Sequence, residues 1–131
     1  MSLGDSATEL GKVRGIGSAH RGGEAWIGER VTSVALLLLG TWFIASLLFL
    51  PSLDQRTVTE WLRHPAAAVP MALLVVTGFW HALDGMKQVV DDYVGGEGDR
   101  WAINTLFLFL AVAGASLCLF ALGRIAFGAA A

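Results

Sequence analysis

Three long runs without acidic or basic side chains decide what this chain can become. Residues 31–50, 66–81 and 101–123 contain no Asp, Glu, Lys or Arg. The second run continues as a helical pattern to Tyr93, so each segment offers about 20 residues, the length that crosses ~30 Å of hydrocarbon. In lipid every backbone N–H and C=O must be paired within the segment, which makes these runs helices. The expected fold is an all-α membrane protein with three transmembrane helices over about 31–50, 66–93 and 101–123. Residues 1–29 form a cytoplasmic N-terminal arm, mostly irregular, and 30–131 the three-helix anchor.

Composition agrees. Of 131 residues, 55% are hydrophobic and 15% charged, far from the balance of a soluble domain. The net charge of −2 and the lack of a basic patch interleaved with aromatics exclude a nucleic-acid surface. A single cysteine, Cys118, excludes an intrachain disulfide and any cysteine-only metal site, and its apolar run makes it a packed thiol. The first 29 residues mix charges with glycines and have no apolar signal-peptide core. Gly11-Lys12-Val13-Arg14-Gly15-Ile16-Gly17-Ser18 lacks the Gly-Lys-Ser/Thr ending and strand–helix setting of a phosphate loop, and reads as a basic interfacial segment. Trp26 suits an interfacial anchor, as do Trp42, Trp61 and Trp101, while Trp80 lies deeper and is expected to pack inside.

The connectors set topology. Residues 52–65 are polar, with a short amphipathic helix expected near 57–63, and 94–100 is expected to be a tight Gly-rich turn. Pro70 is expected in or near the first turn of the second helix, where its missing N–H costs little. Lys12, Arg14, Arg21, Arg30, Lys87 and Arg100 fall on one side, and Arg56, Arg63 and Arg124 on the other. By the positive-inside rule the N-terminus and the 94–100 turn are cytoplasmic and the C-terminus periplasmic, in a bacterial inner membrane.

The second span carries the concentrated chemistry. At about 100° per residue, His81, Gly85, Gln88 and Asp92 fall on one stripe, with Tyr93 ending the helix. An ionisable group inside the bilayer is a functional candidate. His81 reads either as a neutral imidazole bonded to a neighbouring helix or as an axial ligand of haem iron. One span offers one ligand, and His20 and His64 lie outside the spans, so a second ligand would come from another chain. Gly78 and Gly85 flatten the face beside His81, and Gly114 and Ser116 flatten the third helix. Such surfaces admit a helix or a planar cofactor, which suggests part of a hetero-subunit bundle. Tyr93 offers a hydroxyl donor for a quinone carbonyl, or is a routine interfacial tyrosine. Asp92 would orient a partner's arginine or pass protons, or is simply solvated. Asp91 faces solvent. Asp84 is placed to pair with Lys87 three residues on. Arg30 opens the first span as an orientation anchor or as a partner for a haem propionate. Thr32 and Ser33 bond back to their own helix or line the same pocket.

The pattern His81-x3-Gly85-x6-Asp92-Tyr93 on the second of three membrane helices resembles the hydrophobic membrane anchor of succinate dehydrogenase, respiratory complex II. Of the two anchors that such complexes carry, it is the one with an Asp-Tyr pair at the end of the haem helix. The likeness extends to Lys12-Val13-Arg14-Gly15-Ile16-Gly17-Ser18-Ala19 and to Arg30-Val31-Thr32. It implies that His81 is an axial ligand of haem b, shared with a histidine of the companion anchor. It also implies that Gly85 faces the haem, that Tyr93 bonds ubiquinone beside Asp92, and that Arg30 lies near haem and quinone. The chain would dock an iron–sulfur subunit and a flavoprotein subunit, which hold the clusters and FAD. Its contribution to the enzyme would be positioning and electrostatics, with no catalytic residue of its own. Related anchors carry a histidine and a Gln-Arg pair before the first span. Here Glu24-Ala25-Trp26-Ile27-Gly28-Glu29-Arg30 has neither. The His-rich, Arg-containing pattern that usually follows the ligand in the companion anchor is also absent. Two alternatives stand beside this reading: an anchor of a fumarate reductase or other quinone-linked dehydrogenase, and a non-redox transport or assembly protein with His81 in a proton path.

Overall fold

The computed structural model describes residues 22–128, and among them it contains helices and no strand. The order is α1 (Gly22–Phe49), α2 (Gln55–Arg63), α3 (Pro65–Tyr93) and α4 (Glu97–Ala126). The segments Trp26–Phe49, Pro65–Tyr93 and Glu97–Ala126 are long and apolar enough to cross a membrane. α3 and α4 have 29 and 30 residues, about 45 Å at 1.5 Å per residue, so their ends stand beyond the hydrocarbon.

The breaks between helices follow from the residues at them. Pro51 lacks an N–H and disfavours helical backbone at Leu50, and α1 ends at Phe49. Asp54 then caps α2, accepting from the Thr57 N–H at 3.0 Å and the Thr57 hydroxyl at 2.9 Å. The Ser52 hydroxyl donates to the same carboxylate. His64 closes α2 through its N–H to the Trp61 carbonyl and also opens α3, whose first residue is Pro65. At the other end the Val94 N–H bonds the Val90 carbonyl, and Gly96 opens α4.

α3 lies in the middle of a row. It packs on α1 along one side and on α4 along the other, and among the described residues α1 and α4 do not meet. α2 lies against α3 and α4, and Trp61 of α2 stacks on Trp42 of α1 with ring centroids 5.8 Å apart. Small residues set the spacing. A Cβ added at Gly114 would fall 2.6 Å from Cε1 of Phe79, so the bare α4 backbone lets that ring sit directly upon it. Gly78 similarly faces Leu36 of α1. A row of three has little interior: among the described residues only Ala67, Val90 and Leu122 are buried.

Several expectations shift. α1 begins at Gly22, so residues 22–29 of the expected irregular arm are helical. Extending an existing helix gains a hydrogen bond per residue fixed, and Arg30 covers the Trp26 ring at 4.5 Å. The 94–100 turn shortens to 94–96. Glu97 and Asp99 occupy the first turn of α4, where carboxylates oppose the positive end of the helix dipole. Pro70 lies in the second turn of α3, one turn deeper than expected. The expected short helix is longer, starting at Gln55. Trp80 is 61% exposed and Cys118 is also exposed, so neither packs inside this chain. A row of helices leaves two sides of each element without a neighbour. The segment 12–19, which includes Lys12 and Arg14, lies outside the described residues, as do His20 and Arg21.

Candidate functional site

The polar stripe of α3 faces α1. Nδ1 of His81 lies 3.0 Å from the Thr32 hydroxyl. Seven residues on, which is two helical turns, the Gln88 amide donates to the Glu29 carboxylate at 2.9 Å. These two bonds set α1 and α3 antiparallel and fix their register. The start of α1 therefore lies level with the end of α3, and Arg30 falls between the two bonds.

Glu29 is the hub on α1. Its backbone carbonyl accepts from the Thr32 hydroxyl at 2.9 Å and from the Ser33 hydroxyl at 2.8 Å. Both hydroxyls thus bond back to their own helix, as expected of Ser and Thr in a span. Thr32 additionally reaches His81. Among the described residues no hydrogen bond involves Nε2 of His81. The plainer reading of this histidine, an imidazole bonded to a neighbouring helix, accounts for Nδ1 and leaves Nε2 available.

The neighbouring candidates are placed as follows. Gly85, one turn from His81 toward the rim, has nothing within 4 Å of an added Cβ, so its face is open. Arg30 is exposed, with its guanidinium over the Trp26 ring. Asp84 and Lys87 form the expected pair, with Nζ 3.4 Å from the carboxylate. Asp92 and Asp91 are exposed, and Tyr93 is 85% exposed as the last residue of α3. On the helix Tyr93 stands about 120° from His81 and roughly 18 Å along the axis. The two groups therefore belong to different depths of one helix.

Two concavities lie elsewhere. A groove of about 350 Å³ runs between α3 and α4, lined by Val76, Trp80, Leu83, Lys87 and Val112 among others, without His81. A shallow depression of about 570 Å³ on the charged face of α2 includes Arg56 and Glu60, paired at 2.9 Å, and is hydrated surface. Among the described residues no three of His, Cys, Asp and Glu gather as a metal site.

The residues fit a planar metal cofactor in two respects. The ring nitrogen that a metal takes is free of hydrogen bonds among the described residues, and the helix surface beside it is a glycine with open space. His81 Nε2 is the ligand atom, and Arg30 is the cation available to an acidic substituent. Sequence reasoning does not reach the cross-helix bonds to Thr32 and Glu29. A signal for them exists, since Glu29, Thr32 and Ser33 gather at the start of α1 and Gln88 shares the His81 stripe.

Comparison with known proteins gives the family. The family described as succinate dehydrogenase/fumarate reductase transmembrane subunit matches residues 5–122. The succinate dehydrogenase hydrophobic membrane anchor subunit of Rickettsia conorii is 33% identical over 107 residues, 81% of this chain and 82% of that protein. That of Paracoccus denitrificans is 31% identical over 119 residues, 89% of this chain and 90% of that protein. That of Rickettsia bellii is 30% identical over 104 residues, 79% and 81% of the two chains. High coverage on both sides, on top of three apolar spans, means that the chain belongs to the succinate dehydrogenase/fumarate reductase transmembrane subunit family.

Proposed function

We propose that this chain is the hydrophobic membrane anchor of a succinate dehydrogenase, with His81 as one axial ligand of haem b and the cytoplasmic end of α3 as one wall of the ubiquinone site. The observation that carries the proposal is the state of His81: an intramembrane imidazole tied to α1 through Nδ1 with Nε2 free. The names of the relatives favour succinate dehydrogenase over fumarate reductase.

Each residue then has a task. His81 presents Nε2 to the iron, and Gly85 leaves room for a flat ring beside it. Arg30 turns from Trp26 to a propionate, which a guanidinium binds through two hydrogen bonds. When bound, haem b supplies a one-electron store in the membrane. The Tyr93 hydroxyl donates to a quinone carbonyl, and Asp92 orients a partner's arginine or passes protons. The companion anchor brings the second axial histidine. A flavoprotein holding FAD and an iron–sulfur protein holding the clusters dock at the cytoplasmic rim of a bacterial inner membrane. The N-terminus is cytoplasmic and the C-terminus periplasmic.

The test is purification of the complex with its companions. Expected are a copurifying flavoprotein, an iron–sulfur protein and a b-type absorption band that His81→Leu abolishes or shifts. An unchanged band and unchanged haem content in His81→Leu overturn the ligand assignment. A proton-path protein of another kind would show neither the band nor succinate–quinone activity.

A further inference from the structure

The hydroxyl of Thr32 has one proton to give, and the structure shows where it goes. It lies 2.9 Å from the Glu29 carbonyl, a group that only accepts. The same oxygen is 3.0 Å from Nδ1 of His81. With its proton committed to the carbonyl, the oxygen can only accept from the ring. Nδ1 therefore carries hydrogen, and the lone pair of the neutral imidazole sits on Nε2. The direction of donation runs from His81 to Thr32 to the Glu29 backbone.

The relay is anchored at its far end. The carboxylate of Glu29 accepts from Gln88, which stands on the His81 stripe. Two residues of α3 thus hold two residues of α1, and the four form a closed circuit around the helix interface. Rotation of the imidazole would break the bond to Thr32, and displacement of α1 would strain the bond to Gln88. The ring is held in both tautomer and angle.

We propose that Thr32 is a positioning residue for His81, fixing the Nδ1-protonated tautomer and raising the donor strength of Nε2 toward iron. The proposal rests on the reading of His81 as a haem ligand. A hydroxyl that donates onward is a better acceptor, because hydrogen bonds in a chain polarise one another. Drawing on the Nδ1 proton enriches the ring, and a more basic ligand favours ferric over ferrous iron. Thr32 thereby lowers the haem midpoint potential without touching the cofactor.

The test uses the assembled complex with two matched pairs, the parent against Thr32→Val and Thr32→Ser against Thr32→Ala. Within each pair the hydroxyl is the feature removed. The readouts are haem per complex, midpoint potential and the low-spin electron paramagnetic resonance signal of the ferric haem. Thr32→Val and Thr32→Ala are expected to raise the potential, shift the signal and weaken haem retention by about 10–100-fold. Thr32→Ser is expected to match the parent. Parent-like potentials and signals in both hydroxyl-free variants overturn the proposal, and so does a shift in Thr32→Ser as large as in Thr32→Ala. Loss of the whole complex in both hydroxyl-free variants, with Thr32→Ser intact, also overturns it, because the hydroxyl would then serve assembly and not the ring. His81→Leu is read alongside. An unchanged haem there removes the ligand reading itself, whereas a lost haem there with silent Thr32 variants removes only the relay.

Discussion

His81 and Tyr93 share a helix but not an environment. One is half-buried against α1, the other lies open at the rim. Their separation divides the work between an iron ligand in the membrane and a quinone donor at its edge. Tyr93→Phe keeps the ring and removes the hydroxyl, so quinone reduction should fall about tenfold, on the order of one lost hydrogen bond. Succinate oxidation by a soluble dye should remain near the parent rate. Equal quinone turnover in variant and parent would remove Tyr93 from the site. Gln88 gives a second residue-scale prediction. Gln88→Leu deletes the bond to Glu29, and cross-helix hydrogen bonds of this kind in membranes contribute roughly 0.6 kcal/mol. A small drop in the melting temperature of the complex is expected, together with a broadened haem signal as α1 loosens beside His81. Unaltered melting and an unaltered line shape would leave that bond without a structural role.

At the scale of elements, α2 is held by its cap and α3–α4 by a ring on a glycine. The Asp54 carboxyl is drawn down from 3.8 to about 2, chiefly by the Ser52 hydroxyl, then by the Thr57 N–H and the Thr57 hydroxyl. The folded state therefore prefers the ionised cap. Its contribution is complete above pH 3.8 and is lost as pH falls through about 2. Carbon-13 titration of Asp54 should show a midpoint near 2, with the amide of Thr57 losing exchange protection over the same range. A midpoint at the ordinary 3.8 would mean that the cap bonds do not persist in solution. At Gly114 an added methyl meets the edge of Phe79 at 2.6 and 2.8 Å. Gly114→Ala should destabilise the α3–α4 pair by about 1–3 kcal/mol, the cost of overpacking. Adding Phe79→Leu should recover part of that loss in thermal unfolding of the complex. A double variant no more stable than the single one would show that the close approach is not what Gly114 provides.

At the scale of the molecule, a row of three helices leaves two broad faces uncovered. Leu48 and Phe49 are 79% and 88% exposed, and apolar side chains face outward along all three spans. Lipid covers such surfaces, but it does not drive helices together, so the lasting contacts must come from small-residue packing and polar bonds. Within this chain those are the Gly114–Phe79 approach and the two bonds between α1 and α3. Expressed without its companions, the chain should fail to give a single cooperative unfolding transition in detergent. Coexpression with the companion anchor should restore one. A monodisperse chain that unfolds cooperatively alone would contradict the reading of an anchor completed by its partners.

The three spans, the amphipathic α2 and the family likeness are legible in the residues because each depends on local quantities. Run length against bilayer thickness, a cap before an amphipathic turn and a short motif on one helix need no knowledge of neighbours. The Asp84–Lys87 pair is legible for the same reason, being three residues apart on one helix. The start of α1 at Gly22 is not, since helix ends are set by marginal differences that stacking of Arg30 on Trp26 can tip. Nor is the bond between Thr32 and His81, 49 residues apart. Apolar stripes that run all around a helix do not state which face meets which neighbour. Only the assembled row, with α3 between α1 and α4, chose the side of His81 that is bonded and the side that is free.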